Sequence, residues 1–349
     1  MRGIAIVCFL FVGCHRSSSE PPTKSDAYCR ANGAFQILPL GTETTSTVRP
    51  AHTFSIVARD PETGDLGVAV QSHWFSVGAN VAWVEAGVGA VATQSFTEVS
   101  YGPKGLALMR DGVAAPDAMA RLIAEDKQAN VRQLGFVDAQ GHTAAHTGDR
   151  CIQYAGHHVG NGYTVQSNLM GNDKVVAAMA AAYEGAKGDL AARMMAALDA
   201  AQAVGGDLRG CQSAALKVVS GKKSATPWAE RKIDLRVDDA PAPLVELHRL
   251  LGLARAYDQM NRGDAAIEAG DIKGAVEHYG TAATAVPDNA EMIYWQGVAL
   301  AGHGDFDRAM PLFKKAFAAD PAWAELTRRL PGAGLLPEQA AQRVVSEAK

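Results

Sequence analysis

The last third of the chain repeats itself. Gly270-Asp271 recurs as Gly304-Asp305, Ala275 as Ala309, Tyr279 as Phe313 and Pro287 as Pro321, each 34 positions on. That spacing is the length of a tetratricopeptide unit, a helix pair that cannot bury its apolar face alone and must stack on a neighbour. Small Ala and Gly positions let the paired helices approach, and the aromatic ring at Tyr279 or Phe313 fills the gap between them. Gly263 stands where the next unit has Gly297. Residues 244–332 are therefore expected to form two tetratricopeptide-like repeats with a partial cap, with Tyr279 and Phe313 buried. The repeats should dock on the rest of the chain or recruit a protein partner. Residues 333–349 read as a charged, frayed tail.

Length and composition frame what precedes the repeats. A chain of 349 residues predicts two domains. With 48% hydrophobic and 20% charged residues it can bury a core, which excludes global disorder. Lys plus Arg (33) nearly balances Asp plus Glu (37), so there is no basic excess for nucleic acid to meet, and no nucleic-acid partner is expected. At the N-terminus Arg2 precedes a short apolar run, Ile4 to Val12, which is too short to span a bilayer. It ends in Phe11-Val12-Gly13-Cys14, which resembles a bacterial lipobox. Residues 1–14 are thus expected to be an export signal with lipid on Cys14, the alternative being an ordinary secretory signal. Residues 15–50 form a polar tether to the membrane of the cell envelope. In an oxidising compartment disulfides persist. Among Cys29, Cys151 and Cys211, the pair Cys151–Cys211 is the expected bridge, because Cys29 lies in the tether.

Between tether and repeats the pattern changes period. His52 to Asp60 alternates and is rich in β-formers, Pro61-Glu62-Thr63-Gly64 is a turn, and Asp65 to Ser72 is a second strand, predicting a hairpin. Apolar runs at Asn80 to Glu85 and Gly87 to Thr93 follow, then helices over Tyr101 to Asp111 and Pro116 to Asp126. A hairpin over Arg132 to Thr147, two Ala-rich helices over Asp173 to Tyr183 and Asp189 to Ala203, and closing strands at Ser213 to Val219 and Ile233 to Val237 complete the domain. Strands alternating with helix pairs predict an α/β fold with sheet material packed between helices.

Five blocks carry a resemblance: His52 to Asp60, Gly67 to Ser72, Ala86 to Gln94, Gly205 to Leu216 and Ile233 to Asp239. In that order they resemble the family of unknown function DUF1028, over residues 51–243. The family is similar to N-terminal-nucleophile (Ntn) hydrolases, so the resemblance implies an αββα sandwich. It implies no firm activity.

In such hydrolases the first residue of the hairpin is a Thr, Ser or Cys freed by cleavage of the preceding bond. Its hydroxyl or thiol attacks an amide, and its own α-amine, with a pKa of about 7.7–8, serves as base. The resemblance places Thr53 in that role, with Ser55 on the same strand face as second candidate. Thr53 is internal as encoded, and no Lys occupies the stretch Ala79-Asn80-Val81 where proteasome-type sites carry one. His73 after the second strand is a candidate base or donor, and Gln94 ends the fourth. The amides of Gln166 and Asn168 are candidates to bind substrate and stabilise an oxyanion. Asp207 and Arg209 frame a Gly-rich turn and are read as substrate-binding or as a structural clamp. Thr53, Ser55, His73, Gln94 and Asn168 are expected to converge in one cleft, on the premise that strands one to four form a simple meander. His142, His146, His157 and His158 lack clamping geometry on strands, so no metal is expected. Gly87-Val88-Gly89 and Gly205-Gly206 lack a nucleotide loop's strand-to-helix context, so no cofactor is expected. Two functions follow: an envelope amide hydrolase using Thr53, or a non-catalytic binding module whose repeats recruit a protein.

Overall fold

The hairpin forms where alternation places it. In the computed structural model, which describes residues 53–348, β1 (Thr53–Arg59) pairs antiparallel with β2 (Leu66–Ser72). Gly64 takes φ +77° in the connecting turn, a conformation that favours glycine. The Asp60 carboxylate closes that turn by accepting from the amides of Glu62 and Thr63 at 2.8 and 3.0 Å. Cys14, Cys29, the lipobox and the tether lie outside the described residues.

β1 and β2 are the middle of a six-stranded sheet. On the β2 side come β9 (Ser213–Val219) and β10 (Arg231–Val237), and on the β1 side β8 (Tyr163–Ser167) and β7 (Gly156–Gly160). A second sheet has four strands in chain order, β3 (Ala82–Glu85), β4 (Gly89–Ser95), β5 (Arg132–Asp138) and β6 (Thr143–Thr147). The two sheets stack. Helices α2 (Tyr101–Arg110) and α3 (Ala115–Glu125) cover the four-stranded sheet, and α4 (Val175–Gly185) and α5 (Leu190–Ala203) the six-stranded one. A single turn, α1 (Val77–Asn80), leads into β3. This is an αββα sandwich, as the resemblance implies.

Three apolar layers follow from strand periodicity. Phe54, Ile56 and Ala58 of β1 pack beneath α4 and α5. Val91, Leu134 and Phe136 pack beneath α2 and α3. Between the sheets lie Val57, Leu66, Val68, Val70, Ala90, Ala92 and Val137. The two middle strands of the larger sheet are thus buried on both faces.

Several expectations need correction. β4 does not continue a meander from β2; it lies in the other sheet, so Gln94 reaches Thr53 across the sandwich rather than along one sheet edge. β7 and β8 were not expected as strands, although Asn161-Gly162 between them is a strong hairpin signal, with Gly162 at φ +75°. Cys151 and Cys211 are free thiols rather than a bridge. Their sulfurs are used elsewhere: Cys151 donates to the Arg132 carbonyl at 3.4 Å, Cys211 to Gln202 Oε1 at 3.2 Å. Burial raises both thiol pKa values, and the nearby Asp207 carboxylate adds to this at Cys211.

Residues 239–243 lead from the sandwich into the repeats. The long helix α6 (Pro243–Glu268) starts there and serves both cores. Leu244, Leu247 and Leu251 complete the core under α5, and Ala256, Met260 and Gly263 face the first repeat. α7 (Ile272–Ala285), α8 (Ala290–Gly302) and α9 (Phe306–Ala319) follow. The 34-residue period appears as matched geometry. Gly270 and Gly304 take φ +75° and +86°. Asp271 and Asp305 then cap α7 and α9 by accepting from the amides of Gly274 and Arg308. Tyr279 and Phe313 are buried at the same place in the two units, as expected. Beyond α10 (Ala322–Arg329), the supposed frayed tail is instead a docked helix, α11 (Glu338–Glu347). Its Ala340, Ala341 and Val344 close the open end of the second repeat, which stacking would otherwise leave wet.

Candidate functional site

The inter-sheet layer changes character along the strands. At the end where β1 begins it turns from apolar to polar. Thr53, Ser72 and Ser213 lie side by side in register across β1, β2 and β9. The Thr53 hydroxyl donates to Ser72 Oγ at 3.3 Å. The Thr53 carbonyl accepts from the Asn168 amide N–H at 3.1 Å and from Gln94 Nε2 at 3.2 Å. Thr53, Ser55, Gln94, Gln166 and Asn168 therefore come together, contributed by both sheets.

The residue at the centre of the cluster is Gln133 on β5. Its Oε1 accepts from Gln94 Nε2 at 2.8 Å and from Asn168 Nδ2 at 2.9 Å. Its Nε2 donates toward Thr147 Oγ1, the Ser167 carbonyl and the Gly156 carbonyl at 2.9, 2.8 and 3.1 Å. Sequence reasoning missed it. The signal was a polar side chain in line with the inward-facing Gly135 and Val137 of β5, directly opposite Gln94 in register. Gly135, two residues on, is required there: a Cβ would sit 2.4 Å from Gln166 Oε1 and 2.6 Å from Thr164 Oγ1.

Ser55 is held between two amides. Its hydroxyl donates to Gln94 Oε1 at 2.5 Å and accepts from Gln166 Nε2 at 2.6 Å, while Gln166 Oε1 takes the Thr164 hydroxyl at 2.9 Å. A proton committed to an amide oxygen has no base to receive it, which weighs against Ser55 as nucleophile. All of these groups are fully buried. Where one cleft was expected there is thus a buried, uncharged hydrogen-bond cluster that also joins the two sheets.

His73, Asp207 and Arg209 form a neighbouring shell. The buried Asp207 carboxylate accepts from the His73 main-chain N–H at 3.0 Å. It also accepts from the Arg209 amide at 2.9 Å and from the Arg209 guanidinium at 3.1 and 2.7 Å. This is the clamp reading: the ion pair with Arg209 fixes the Asp207 carboxylate within the loop after α5, and the His73 N–H pins the loop after β2 to it. His73 is placed there by its backbone. Its ring is half-buried, beside Gly210 rather than in the Thr53 cluster. The four histidines singled out in the sequence have separate contacts: His142 with Asp138, His146 with the Ala129 carbonyl, His157 with Thr147 and His158 with the Tyr163 ring.

Comparison with known proteins agrees with this architecture. Residues 53–247 match the family of unknown function DUF1028, and residues 260–322 match the tetratricopeptide repeat. The crystal structure of a DUF1028 protein from Silicibacter pomeroyi is similar at 29% identity and a TM-score of 0.52. The similarity covers 58% of this chain and 88% of that one. No curated protein matches the chain. Sandwich and repeats together make this chain a member of the DUF1028 family with tetratricopeptide repeats attached through one continuous helix.

Proposed function

We propose that the chain is the latent form of an amide-bond hydrolase whose nucleophile is Thr53. The observation that carries this reading is positional. Thr53 stands at the N-terminal end of the described part of an inner strand, its side chain turned between the sheets onto Ser72, where two further donors already meet its carbonyl. Ser72 is a hydroxyl and cannot accept a proton at neutral pH. A base must come with the new α-amine that scission of the His52-Thr53 bond releases. Phe75 and Leu208 stand exposed on the loops after β2 and α5, the same loops that the Asp207 clamp joins, and suit an apolar acyl group. Cell-wall peptides or small acylated amines are the substrates within reach of an exported protein.

The test compares three chains on a panel of chromogenic amides: the intact protein, one beginning at Thr53, and that one carrying Thr53→Ala. The free Thr53 amine should raise turnover on the order of 10³-fold over both others. Equal inertness of all three sinks the hydrolase. Intact mass of the purified protein reports whether scission occurs unaided.

The complete burial of Ser55, Gln94 and Gln166 favours a second reading, in which the sandwich has kept its polar cluster only as a joint between sheets. The chain is then a binding module that recruits a protein through its repeats. Under either reading we propose export and lipid attachment at Cys14. Cys14→Ser should move the protein from the membrane to the soluble fraction on cell fractionation. A variant that stays with the membrane requires another anchor.

A further inference from the structure

A cleft of about 600 Å³ opens on the lateral edge of the sandwich, where β3 faces β9, β10 and the turn Pro227–Glu230. It is remote from Thr53 along the strands: Lys217 lines it and pairs with Val68, whereas Thr53 pairs with Ser72 at the end of β2. We propose that this cleft binds a small aromatic carboxylate.

Lys217 carries the argument. It is the one charged side chain on β9, between buried neighbours, and it lies half-buried. Its ammonium has three donors. One meets the Ala82 carbonyl of β3 at 2.9 Å. Asp234 is its cross-strand partner, but no carboxylate among the described residues lies within 4 Å of Lys217 Nζ, and Asp234 is shared with Arg231 at 3.5 Å. A half-buried ammonium with one neutral acceptor is poorly compensated. An anion entering the cleft supplies what the fold does not. Burial lowers the pKa of Lys217, in accord with that deficit.

The other walls define the rest of the ligand. Trp228, on the turn between β9 and β10, is 66% exposed at the rim. An indole left in water beside a cleft is a stacking surface for a flat ring. Val84, Val219 and Ile233 make the lining apolar. Of the other two cations lining it, Arg110 is matched by a two-point contact with Glu85, and Arg231 donates to the Trp228 carbonyl at 3.1 Å and to Asp234 at 3.5 Å, so the anion's place is at Lys217. A single uncommitted ammonium suits a carboxylate better than a phosphate, which draws on several donors or a free guanidinium fork.

The intact chain should be titrated calorimetrically with phenylacetate and with the neutral phenethyl alcohol. Phenylacetate should bind about tenfold more tightly, the value of one charge-assisted hydrogen bond. Lys217→Met should abolish that preference, and Trp228→Ala should weaken both ligands. Trp228 is a surface residue, so its variant retains the fold if Lys217→Met does not. Equal affinity for acid and alcohol overturns the proposal, as does no binding of either. Unchanged phenylacetate binding by Trp228→Ala, or by a folded Lys217→Met, overturns it too.

Discussion

Gln133→Leu should destabilise the α/β domain by about 3 kcal/mol or more, measured by urea unfolding followed through circular dichroism. The substitution keeps bulk but removes both ends of the amide. Gln94 and Asn168 lose the acceptor on which they converge, and Thr147 and the carbonyls of Gly156 and Ser167 lose a donor. Each buried group left unmatched costs about 1–3 kcal/mol, far more than the net gain of an ordinary hydrogen bond. Ser55→Ala is the informative control. It deletes one hydroxyl and leaves Gln94 Oε1 and Gln166 Nε2 unmatched with each other across the gap. A smaller loss, about 1–2 kcal/mol, is expected there. If Gln133→Leu unfolds within about 0.5 kcal/mol of the parent, the cluster is not the joint between the sheets.

That joint explains why the candidate site was only partly legible in the sequence. Runs of β-formers bounded by turns announced themselves: β1, β2, β9 and both helix pairs fall where their patterns place them. Thr53 and Gln94 were identifiable as polar groups at strand ends, Ser55 by its place on the face of Thr53, and Gln166 and Asn168 by their amides. What joins them is the stacking of two sheets. Residues 94 and 133 meet 55 and 168 from opposite layers, and no local pattern encodes which sheet a strand enters. The meander premise therefore set Gln94 beside Thr53 by a wrong path, and it placed His73 in a cluster that His73 does not join. β7 went unseen because Gly156-His157-His158-Val159-Gly160 is an edge strand with little apolar content; its evidence was the turn, not the strand. α11 was hidden for a related reason. Its buried stripe consists chiefly of Ala340, Ala341 and Val344, a weak apolar signal among charges.

The repeats offer the larger perturbation. Phe313→Ala should cost about 3–5 kcal/mol, the range for a fully buried aromatic. The upper part of that range is expected, because the hole cannot collapse. Gly297 lies against the ring, where a Cβ would stand 3.4 Å from it, and glycine has no side chain to move inward. Tyr294 meets Phe313 edge-on at 5.6 Å and is itself anchored through its hydroxyl to Thr327 at 3.1 Å, so it cannot swing to fill the space. Tyr279→Ala should behave alike in the first repeat, where Gly263 is pressed against the tyrosine ring. Tyr279→Phe should cost little, since it removes only the hydroxyl bond to Asp264 at 2.6 Å near the surface. The loss should also spread unevenly. The first half of α6 belongs to the sandwich core and the second half to the repeat core, so unfolding α8 to α11 leaves α6 held at Leu244, Leu247 and Leu251. Amide exchange in Phe313→Ala should therefore accelerate in α8 to α11 while α6 and the strands stay protected. Uniform acceleration through β1 and β2 would instead mean that the rigid helix makes sandwich and repeats one cooperative unit. A loss below about 1 kcal/mol would mean that the ring does not fill the gap between the paired helices.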